Sequence, residues 1–491
     1  MSKYLLGIDN GGTMSKAALF TTAGKEVACA SRNVQSFELH PGWSERDATG
    51  VWERTASAIR EVVEKSNLDP KEIAAVACTG HGNGLYLIDA EGKPVRNSIN
   101  STDSRAASYI ERWMADGVDE KVLPKTTQCL WPAQPNALLA WLRDNEPETL
   151  AKASAVQFAK DYIRTQLTGE IWMELTDMSG SSLMNVVTGE YDDEVLELFG
   201  LSDMKRLLPP LKKSHDVCGK VTADAAALTG LAEGTPVAGG MFDIDACGLA
   251  SGIVDAGQMS LVAGTWGNNQ YIAKEPLIDK ELFMTSCYSI PGWYLMLEGS
   301  PTSASNLQWF VNRFFDEPDL KACDEAVGAI EPAANEIVFL PFLYGTNEKS
   351  AAKSSFLGLE GRHTREDMMR AVYEGVVFSH NHHLQRLLQF RDKPECIRFT
   401  GGAARSEVWV QMFADCFQIP VEIPAGTELG ALGAAMAAAV AAGVYEDFPE
   451  AAKAMTRIAR RHDPDPAKAA IYAEKYARYK KAVETLDAIW R

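Results

Sequence analysis

The sequence predicts an α/β protein of two lobes, and three observations lead to this fold class. The chain has 491 residues, which exceeds the roughly 250–300 residues at which one hydrophobic core stops growing. Residues 4–20 and 259–273 each follow the pattern of a strand, a turn rich in glycine, and a second strand. A glycine-rich stretch at 236–271 lies near the midpoint. A repeated unit at half-chain spacing predicts two related lobes, residues 1–245 and 246–491, which offer their turns to a shared cleft.

Composition and charge exclude several classes of protein. A net charge of −18 argues against general binding to nucleic acid or to an anionic membrane, although an anionic substrate needs only a local positive site. The apolar run at 429–442 is too short and too rich in alanine to span a bilayer, which needs about 20 residues. Nine cysteines lack C-x-x-C spacing, and no secretory signal is recognised. We therefore expect reduced thiols and a cytoplasmic location.

The central stretch supplies a candidate catalytic base. Two glycines precede Asp243 and a run of small residues follows it, so its carboxylate is expected at the end of a strand, beside backbone that only glycine allows. About twenty residues later comes a turn that contains Gly264 and Thr265, whose N–H groups are free to face an anion. We predict that Asp243 activates a hydroxyl group and that this second turn binds a phosphate.

The first hairpin turn carries a similar set of groups. It contains Asp9, Gly11, Gly12, Thr13 and Lys16, between two strand-like runs. The carboxylate could orient a metal-bound water, the hydroxyl could donate to a phosphate, and the lysine supplies positive charge. Taken alone, this turn is better explained as a hairpin with polar residues, and only its similarity to the second turn favours a phosphate site.

A third glycine motif lies in the second half of the chain. Residues 396–423 read as a strand, the pair Gly401-Gly402, a helix capped by Ser406, and another strand. The glycine pair lets the backbone approach a flat ligand, and a helix N-terminus favours negative charge. Following two candidate phosphate turns, this motif becomes a candidate adenosine site that also includes Ala403.

Loops of the first half carry candidate sugar-binding residues. Trp43 and Glu45 could stack on a polyol and hydrogen-bond to it, and His81 is sterically open between two glycines. Asp103 and Arg105 could bind hydroxyl groups. The alternatives are also plain: the tryptophan as a packing anchor, the histidine as a structural group, Asp103 as a helix cap and Arg105 as its ion-pair partner.

The pattern also predicts most of the regular elements. Helices are expected at residues 49–66, 135–145, 159–169, 366–386 and 429–442, with a helix after residue 105 that ends near 114. Residues 190–232 are expected to alternate short helices and loops. The final segment, 449–491, reads as a surface helix rich in alanine and lysine.

Together these residues resemble the FGGY family of carbohydrate kinases, and the likeness covers nearly the whole chain. Residues 354–374 follow one family signature throughout. The family's first phosphate loop is matched by Asp9, Gly11, Thr13 and Lys16, and its second by Gly264 and Thr265. Its base motif is matched by Asp243. Its adenosine motif is matched by Gly401, Gly402, Ala403 and Ser406. Residues 9–12, 240–243 and 300–303 resemble the members that act on L-xylulose or 3-keto-L-gulonate. Gly12 and Leu138 depart from residues that many members carry.

The resemblance implies a two-lobed actin-like ATPase fold (ribonuclease H-like) with a cleft between the lobes. Residues 1–245 would bind the sugar and carry the first phosphate loop, and residues 246–491 would carry the second loop and the adenosine site. The implied reaction is ATP-dependent phosphorylation of the terminal hydroxyl of a ketose, with Asp243 as the base and Mg²⁺ held by Asp9 through water. The implied sugar contacts are Trp43, Glu45, His81, Asp103, Arg105, Trp131 and Asp243.

The sequence leaves several alternatives open. A chain of this fold could also bind nucleotide and sugar without turnover, as a sensor, because fold alone does not determine function. L-Xylulose is the substrate that the resemblance favours, but D-xylulose, L-ribulose and keto-acid sugars such as 3-keto-L-gulonate remain open. The expected partners are the sugar and ATP, with neither nucleic acid nor membrane, and a homodimer is left open.

Overall fold

The computed structural model describes residues 4–316, 319–348 and 350–490. The strands are β1 (Tyr4–Asn10), β2 (Met14–Thr21), β3 (Glu26–Asn33), β4 (Phe37–His40), β5 (Trp43–Arg46), β6 (Ile73–Gly80), β7 (Tyr86–Ile88), β8 (Ser98–Ile99), β9 (Ala155–Gln157), β10 (Met173–Glu174), β11 (Met184–Asn185), β12 (Glu190–Tyr191), β13 (Leu211–Lys212), β14 (Val217–Lys220), β15 (Pro236–Ala238), β16 (Met241–Phe242), β17 (Gln258–Ala263), β18 (Gly267–Ala273), β19 (Met284–Cys287), β20 (Tyr294–Ser300), β21 (Val338–Leu340), β22 (Ser355–Leu357), β23 (Cys396–Thr400), β24 (Val421–Pro424) and β25 (Ile458–His462). The helices are α1 (Ala48–Ser66), α2 (Ala107–Ala115), α3 (Val118–Thr126), α4 (Pro135–Asn145), α5 (Pro147–Lys152), α6 (Ala159–Thr168), α7 (Leu175–Ser179), α8 (Asp193–Leu198), α9 (Ala223–Thr229), α10 (Asp243–Ala250), α11 (Ser305–Phe314), α12 (Leu320–Gly328), α13 (Arg365–Leu387), α14 (Glu407–Phe417), α15 (Leu429–Ala441), α16 (Phe448–Met455) and α17 (Ala469–Trp490).

The chain divides into two units that are not consecutive in sequence. The first unit comprises the described residues through Val254 together with Ile272–Leu295 and Gly426–Thr456. The second unit comprises Asp255–Tyr271, Met296–Ala425 and the described residues from Arg457 onward. The predicted lobe boundary between residues 245 and 246 stays a prediction.

The first unit is built on a seven-stranded sheet in the order β14-β15-β6-β1-β2-β3, with β16 also paired to β6. Strands β1 and β2 form the predicted antiparallel hairpin. Strand β6 is parallel to β1, and β16 is parallel to β6. Helix α1 packs against the sheet because its buried residues recur at helical spacing. Ile8, Leu19, Ile59 and Val76 belong to the resulting core.

Helix α15 packs against β1 at very short range in the same unit. A Cβ atom on Gly7 would lie 1.8 Å from the carbonyl oxygen of Ala431, and one on Gly433 would lie 2.2 Å from that of Ala246 in α10. Side chains cannot be accommodated at such distances. The run of alanine and glycine in this helix is therefore explained by close backbone approach.

The second unit contains strands in the order β20-β18-β17-β23-β24-β25. Strands β17 and β18 are antiparallel, and β17 is parallel to β23, so this unit repeats the local arrangement of β1, β2 and β6. Both hairpins that the sequence predicted are present. The long helix α13 begins with a capping box formed by Thr364 and Asp367.

Three local predictions need correction. The segment after residue 448 is not one helix, because β25 interrupts it and pairs antiparallel with β24; residue 491 lies outside the described part of the chain. Asp103 is not a helix cap, since α2 is preceded by Ala106 at its N-cap position. Residues 190–232 contain short strands as well as the expected short helices.

Two expectations about the whole chain can be compared with the structure. All nine cysteines carry free thiols. Among the described helices, none is both long and apolar enough to cross a membrane.

Candidate active site

Strand register assembles the first group of candidate residues in the first unit. Asp9 lies opposite Thr79 in the parallel pairing of β1 with β6, and Phe242 of β16 lies opposite Gly80. The backbone N–H of His81 donates to the carbonyl oxygen of Asn10 over 3.0 Å. Because the carboxyl ends of parallel strands meet at one edge of a sheet, Asp9, His81 and Asp243 all leave the sheet at the same edge.

Asp243 is the first residue of α10 and follows a turn that requires glycine. Gly240 has φ +79°, and a Cβ atom there would lie 1.9 Å from the carbonyl oxygen of Cys78. Burial, with a smaller contribution from the charge of Asp9, raises the pKa of Asp243 to about 7. The carboxylate is thus half-buried, with a proton affinity close to that of an imidazole.

Asp245 lies two residues further along α10 and has a different environment. Its Oδ1 accepts hydrogen bonds from the backbone N–H of Ser289 over 2.9 Å and from the Ser289 hydroxyl over 3.0 Å. The side chain is fully buried. It therefore points away from the position of Asp243, as expected from its place on the helix.

The first hairpin brings Asp9 and Lys16 together. They are direct partners in the antiparallel register, and Lys16 Nζ lies 2.9 Å from Glu428 Oε2 at the start of α15. Burial raises the pKa of Asp9 to about 6, with Lys16 opposing and Glu428 adding to the effect. A Cβ atom on Gly430 would lie 2.6 Å from Asp9 Oδ2, so α15 also limits where this carboxylate can move.

The remaining turn residues differ in exposure. Thr13 and Gly12 are exposed, whereas the N–H of Gly11 donates to the carbonyl oxygen of Met14 over 3.0 Å. The turn therefore offers a hydroxyl and an ammonium group, but the Gly11 amide is already engaged.

The chemistry of this turn fits a magnesium ion. Among the described residues, no group of three or more His, Cys, Asp and Glu side chains could hold a metal. Magnesium in phosphate-transfer sites needs no such cage, because it keeps several waters and takes one or two carboxylates plus phosphate oxygens. Asp9 supplies a carboxylate of that kind, beside the exposed Thr13 hydroxyl.

Four of the predicted sugar-binding residues form one cluster. Arg105 binds Asp103 with two N–H groups, each over 2.9 Å, and its Nη1 lies 2.9 Å from Glu45 Oε1. The guanidinium carbon lies 4.5 Å from the centre of the Trp43 ring. Asp103 also accepts from the backbone N–H of Ser44 over 2.7 Å. The structure thus brings these residues together, with much of their polar capacity used on each other.

His81 and Trp131 differ from that cluster because their polar atoms are unsatisfied. Both ring nitrogens of His81 and Nε1 of Trp131 are buried without a hydrogen-bond partner among the described residues. Burial and the nearby Arg46 lower the pKa of His81 to about 3, so its ring is neutral. The Gly84 N–H donates to the Ala133 carbonyl oxygen over 3.1 Å, which joins the two loops. Buried polar atoms of this kind are candidates for contact with a substrate.

A buried ionic cluster behind Asp243 was not predicted from the sequence. Lys160 Nζ lies 2.8 Å from Asp161, 3.4 Å from Glu174 and 3.5 Å from Asp177, and Arg164 lies 2.7 Å from Asp161. All five side chains are fully buried. The only signal was the density of charge within α6.

The ionic cluster is connected to the turn that carries the candidate base. Arg164 Nη1 donates to the carbonyl oxygen of Gly239 over 2.8 Å. The Thr176 hydroxyl donates to Glu174 over 2.7 Å and accepts from the backbone N–H of Phe242 over 2.9 Å. The residues on both sides of Gly240 are therefore tied to the cluster, which fixes the backbone that positions Asp243.

The candidate nucleotide residues of the second unit meet through β17 and β23. Val262 pairs with Thr400, which brings the ends of the two strands together, and a Cβ atom on Gly401 would lie 2.5 Å from the Ala263 carbonyl oxygen. Gly401 has φ +93°, which explains the glycine. The Gly264 N–H donates to the Trp266 carbonyl oxygen over 3.1 Å, so this amide is not free as the sequence suggested.

The adenosine motif has the local geometry that the sequence predicted. Ser406 is the N-cap of α14, and its hydroxyl accepts from the Trp409 N–H over 3.0 Å. Apart from its two chain neighbours, no described residue comes within 4 Å of the position of a Cβ atom on Gly402, so the backbone there is open, whereas Ala403 is buried.

Comparison with protein families decides the class of this protein. Residues 4–249 match the N-terminal domain of the FGGY family of carbohydrate kinases, and residues 259–442 match its C-terminal domain. The chain belongs to the FGGY family of carbohydrate kinases. It is accordingly an ATP-dependent sugar kinase, a phosphotransferase with an alcohol group as acceptor, which decides against the alternative of a non-catalytic sensor.

Individual FGGY kinases match over almost their whole length. A probable L-xylulose kinase of Pasteurella multocida is 38% identical over 490 residues, covering 99% of each chain. The L-xylulose/3-keto-L-gulonate kinase of Escherichia coli is 38% identical over 489 residues, covering 99% of this chain and 98% of that protein. The crystal structure of a xylulose kinase from Rhodospirillum rubrum superposes with a TM-score of 0.90 at 28% identity, covering 99% of this chain and 100% of that chain.

These matches confirm two expectations from the sequence. The family resemblance was correct, and the fold is the two-domain actin-like ATPase fold of FGGY sugar kinases. The roles of the individual residues are not tested by the matches and stay predictions.

Proposed function

We propose that the protein transfers the γ-phosphoryl group of ATP to the terminal hydroxyl of a ketose, and that the ketose is L-xylulose or a closely related keto-sugar. The observation that carries the proposal is the position of Asp243, a half-buried carboxylate at the first turn of α10, at the same edge of the sheet as Asp9. The names of the two relatives at 38% identity support the choice of sugar.

Asp243 is the proposed general base. Phosphoryl transfer depends mainly on positioning and charge stabilisation, and the acceptor hydroxyl must lose a proton as the new P–O bond forms. A general base works best when its pKa lies near the operating pH, and burial gives Asp243 a pKa of about 7. Gly240 and the Thr176 hydrogen bond hold the adjacent backbone in place, so the carboxylate meets the hydroxyl without a prior rearrangement.

The sugar site is proposed in the first unit. His81 and Trp131 would donate directly to sugar oxygens, because their buried nitrogens have no other partner among the described residues. Trp43, Glu45, Asp103 and Arg105 were predicted as contacts too; their mutual ion pairs favour a role as one rigid polar wall whose remaining acceptor and donor sites meet hydroxyl groups.

The nucleotide residues are assigned unit by unit. In the first unit the hydroxyl of Thr13, the ammonium group of Lys16 and the turn at Gly11 and Gly12 would bind phosphate oxygens. In the second unit Gly264 and Thr265 would bind phosphate, and Gly401, Gly402, Ala403 and Ser406 would lie against the adenosine. Mg²⁺, which Asp9 would hold through water, would neutralise phosphate charge when bound.

The first experiment is ATP turnover against a panel of L-xylulose, D-xylulose, L-ribulose, 3-keto-L-gulonate, glycerol and erythritol, followed by coupled detection of ADP. We expect L-xylulose or 3-keto-L-gulonate to exceed the other compounds in kcat/KM by at least about tenfold, a difference of about 1.4 kcal/mol. A clear preference for D-xylulose, glycerol or erythritol would refute the proposed substrate. Turnover with none of the six would refute it as well.

The pH dependence gives a second test of the base. A carboxyl group with a raised pKa is protonated below that pKa and cannot accept the hydroxyl proton. We therefore expect kcat/KM for the sugar to fall about tenfold per pH unit below about 7 and to level off above it. A profile that stays flat down to pH 5 would contradict the assignment.

The cytoplasmic location and the homodimer stay predictions, which fractionation and light scattering can test.

A further inference from the structure

A serine, a histidine and an asparagine form a buried relay beneath the second phosphate turn. The Ser303 hydroxyl lies 2.8 Å from His380 Nε2, and His380 Nδ1 lies 3.1 Å from Asn269 Oδ1. Ser303 and His380 are each 2% exposed and Asn269 is 1% exposed. All three belong to the second unit and come from the loop before α11, from α13 and from β18.

The hydrogen-bond pattern selects one tautomer of the His380 ring. With the Asn269 amide oxygen facing the ring, Nδ1 carries the proton and Nε2 accepts from the Ser303 hydroxyl. Burial, with a smaller contribution from His383, lowers the pKa of His380 to about 3, which agrees with a neutral ring. Each polar contact then has one donor and one acceptor, so the three side chains hold each other in a single arrangement.

The relay touches the turn directly. A Cβ atom on Gly267, the last residue of the turn, would lie 2.9 Å from His380 Cε1, 3.0 Å from Nε2 and 3.3 Å from Ser303 Cβ. The backbone at Gly267 therefore packs closely against the imidazole ring, with no room for a side chain. On the other side, the Ser305 hydroxyl donates to the Thr265 carbonyl oxygen over 3.2 Å. Ser303, just before α11, and Ser305, the first residue of α11, thus both support the same turn.

We propose that Ser303, His380 and Asn269 are positioning residues that hold the turn from Gly264 to Gly267 in the form that binds the phosphates of ATP. The inference rests on the proposed role of that turn. Because the turn is already ordered before ATP binds, less conformational entropy is lost on binding. The relay therefore increases the affinity for ATP. The relay makes no contact with the reacting atoms in this scheme, and its loss should leave the chemical step largely intact.

The test compares Ser303→Ala, His380→Gln and the double variant in steady-state kinetics. We expect each single change to raise KM for ATP by about three- to tenfold, as loss of one buried hydrogen bond allows, with kcat within about twofold of the parent. The double variant should be little worse than His380→Gln alone, because both changes break the same relay. Hydrogen exchange of the amides in residues 259–273 should become faster in all three variants.

A matched control lies on the same helix. His382, two residues beyond His380, is 3.8 Å from Glu348, and no contact that the structure gives it involves the turn. His382→Gln should leave KM for ATP and the exchange of 259–273 unchanged. A normal KM for ATP in both Ser303→Ala and folded His380→Gln would overturn the inference. This holds even if the melting temperatures fall, because the relay would then stabilise the fold without affecting ATP binding.

Thr265→Ala separates this inference from the proposed role of the turn. If Thr265→Ala raises KM for ATP while Ser303→Ala does not, the turn binds phosphate and the relay inference alone is wrong. If Thr265→Ala also leaves KM for ATP and calorimetric binding of ATP unchanged, the assignment of the turn fails, and the inference fails with it. Since Ser303→Ala removes a single oxygen atom, it provides a folded variant even where the larger change at His380 is not tolerated.

Discussion

Replacing Asp243 with asparagine should lower kcat by about 10²–10⁴-fold while leaving the affinity for the sugar nearly unchanged. The amide has the size of the carboxylate but cannot accept a proton from the acceptor hydroxyl. Steady-state ADP release gives kcat, and calorimetric titration of the sugar gives the affinity. The loss should not reflect unfolding, since a carboxylate whose pKa is raised to about 7 in the fold is unfavourable above pH 7 and the amide removes that charge.

Asp245→Asn serves as the comparison, because Asp245 occupies the same helix but accepts hydrogen bonds from Ser289. Burial raises the pKa of Asp245 well above its usual range, and an amide oxygen can still accept from Ser289, so this change should leave both the melting temperature and kcat close to the parent values. A kcat near the parent value in Asp243→Asn would remove Asp243 from the role of base. A loss of sugar binding equal to the loss of kcat would instead make it a binding residue.

Replacing Lys160 with methionine should reduce the free energy of unfolding by about 3–5 kcal/mol. Although burial opposes it, the surrounding carboxylates raise the pKa of Lys160, so the lysine is charged. Its removal leaves Asp161, Glu174 and Asp177 buried, and Arg164 is then the one cation of this cluster among the described residues. Urea denaturation followed by circular dichroism measures the change, and kcat should fall as well because the cluster holds the backbone beside Asp243.

Lys205→Met is the matched change at an exposed pair. Lys205 lies 2.6 Å from Asp193, and the two side chains are 56% and 74% exposed. Solvent screens such a pair, so the loss should stay below about 1 kcal/mol. Equal effects of the two substitutions would show that the buried cluster gains nothing from its internal pairing. An unchanged kcat in a folded Lys160→Met protein would show that the buried ionic cluster does not position Asp243.

Much of the fold could be predicted because its signals are local. The two hairpins follow from strand patterns that flank glycine turns, and α4 begins and ends at Pro135 and Asn145, as the apolar periodicity indicated. Strand β25 was missed because its residues, Ile458–His462, carry three basic or imidazole side chains and only one strongly apolar residue. Its strand state depends on pairing with β24, which lies about 35 residues earlier in the chain.

The site divides in the same way. Asp9, His81 and Asp243 could be named because glycines mark the strand ends that carry them. Glu428 and the buried partners of Lys160 could not, since charges that neutralise each other in the interior come from separate segments and look like surface residues in the sequence. Arg105 shows an intermediate case: its ion pair with Asp103 was foreseen as an alternative, but its contacts with Glu45 and Trp43 required the fold.

The position of α15 has a consequence for how the protein is made. The strands β1 and β6, against which this helix packs, leave the ribosome about 430 and about 360 residues, respectively, before α15 does. At roughly 5–20 residues per second, one face of the first sheet stays without that helix for about 20 to 70 s of synthesis. A nascent chain stalled between residues 254 and 426 should therefore bind chaperones that recognise exposed apolar strands, and release from them should begin only after residue 441 has emerged.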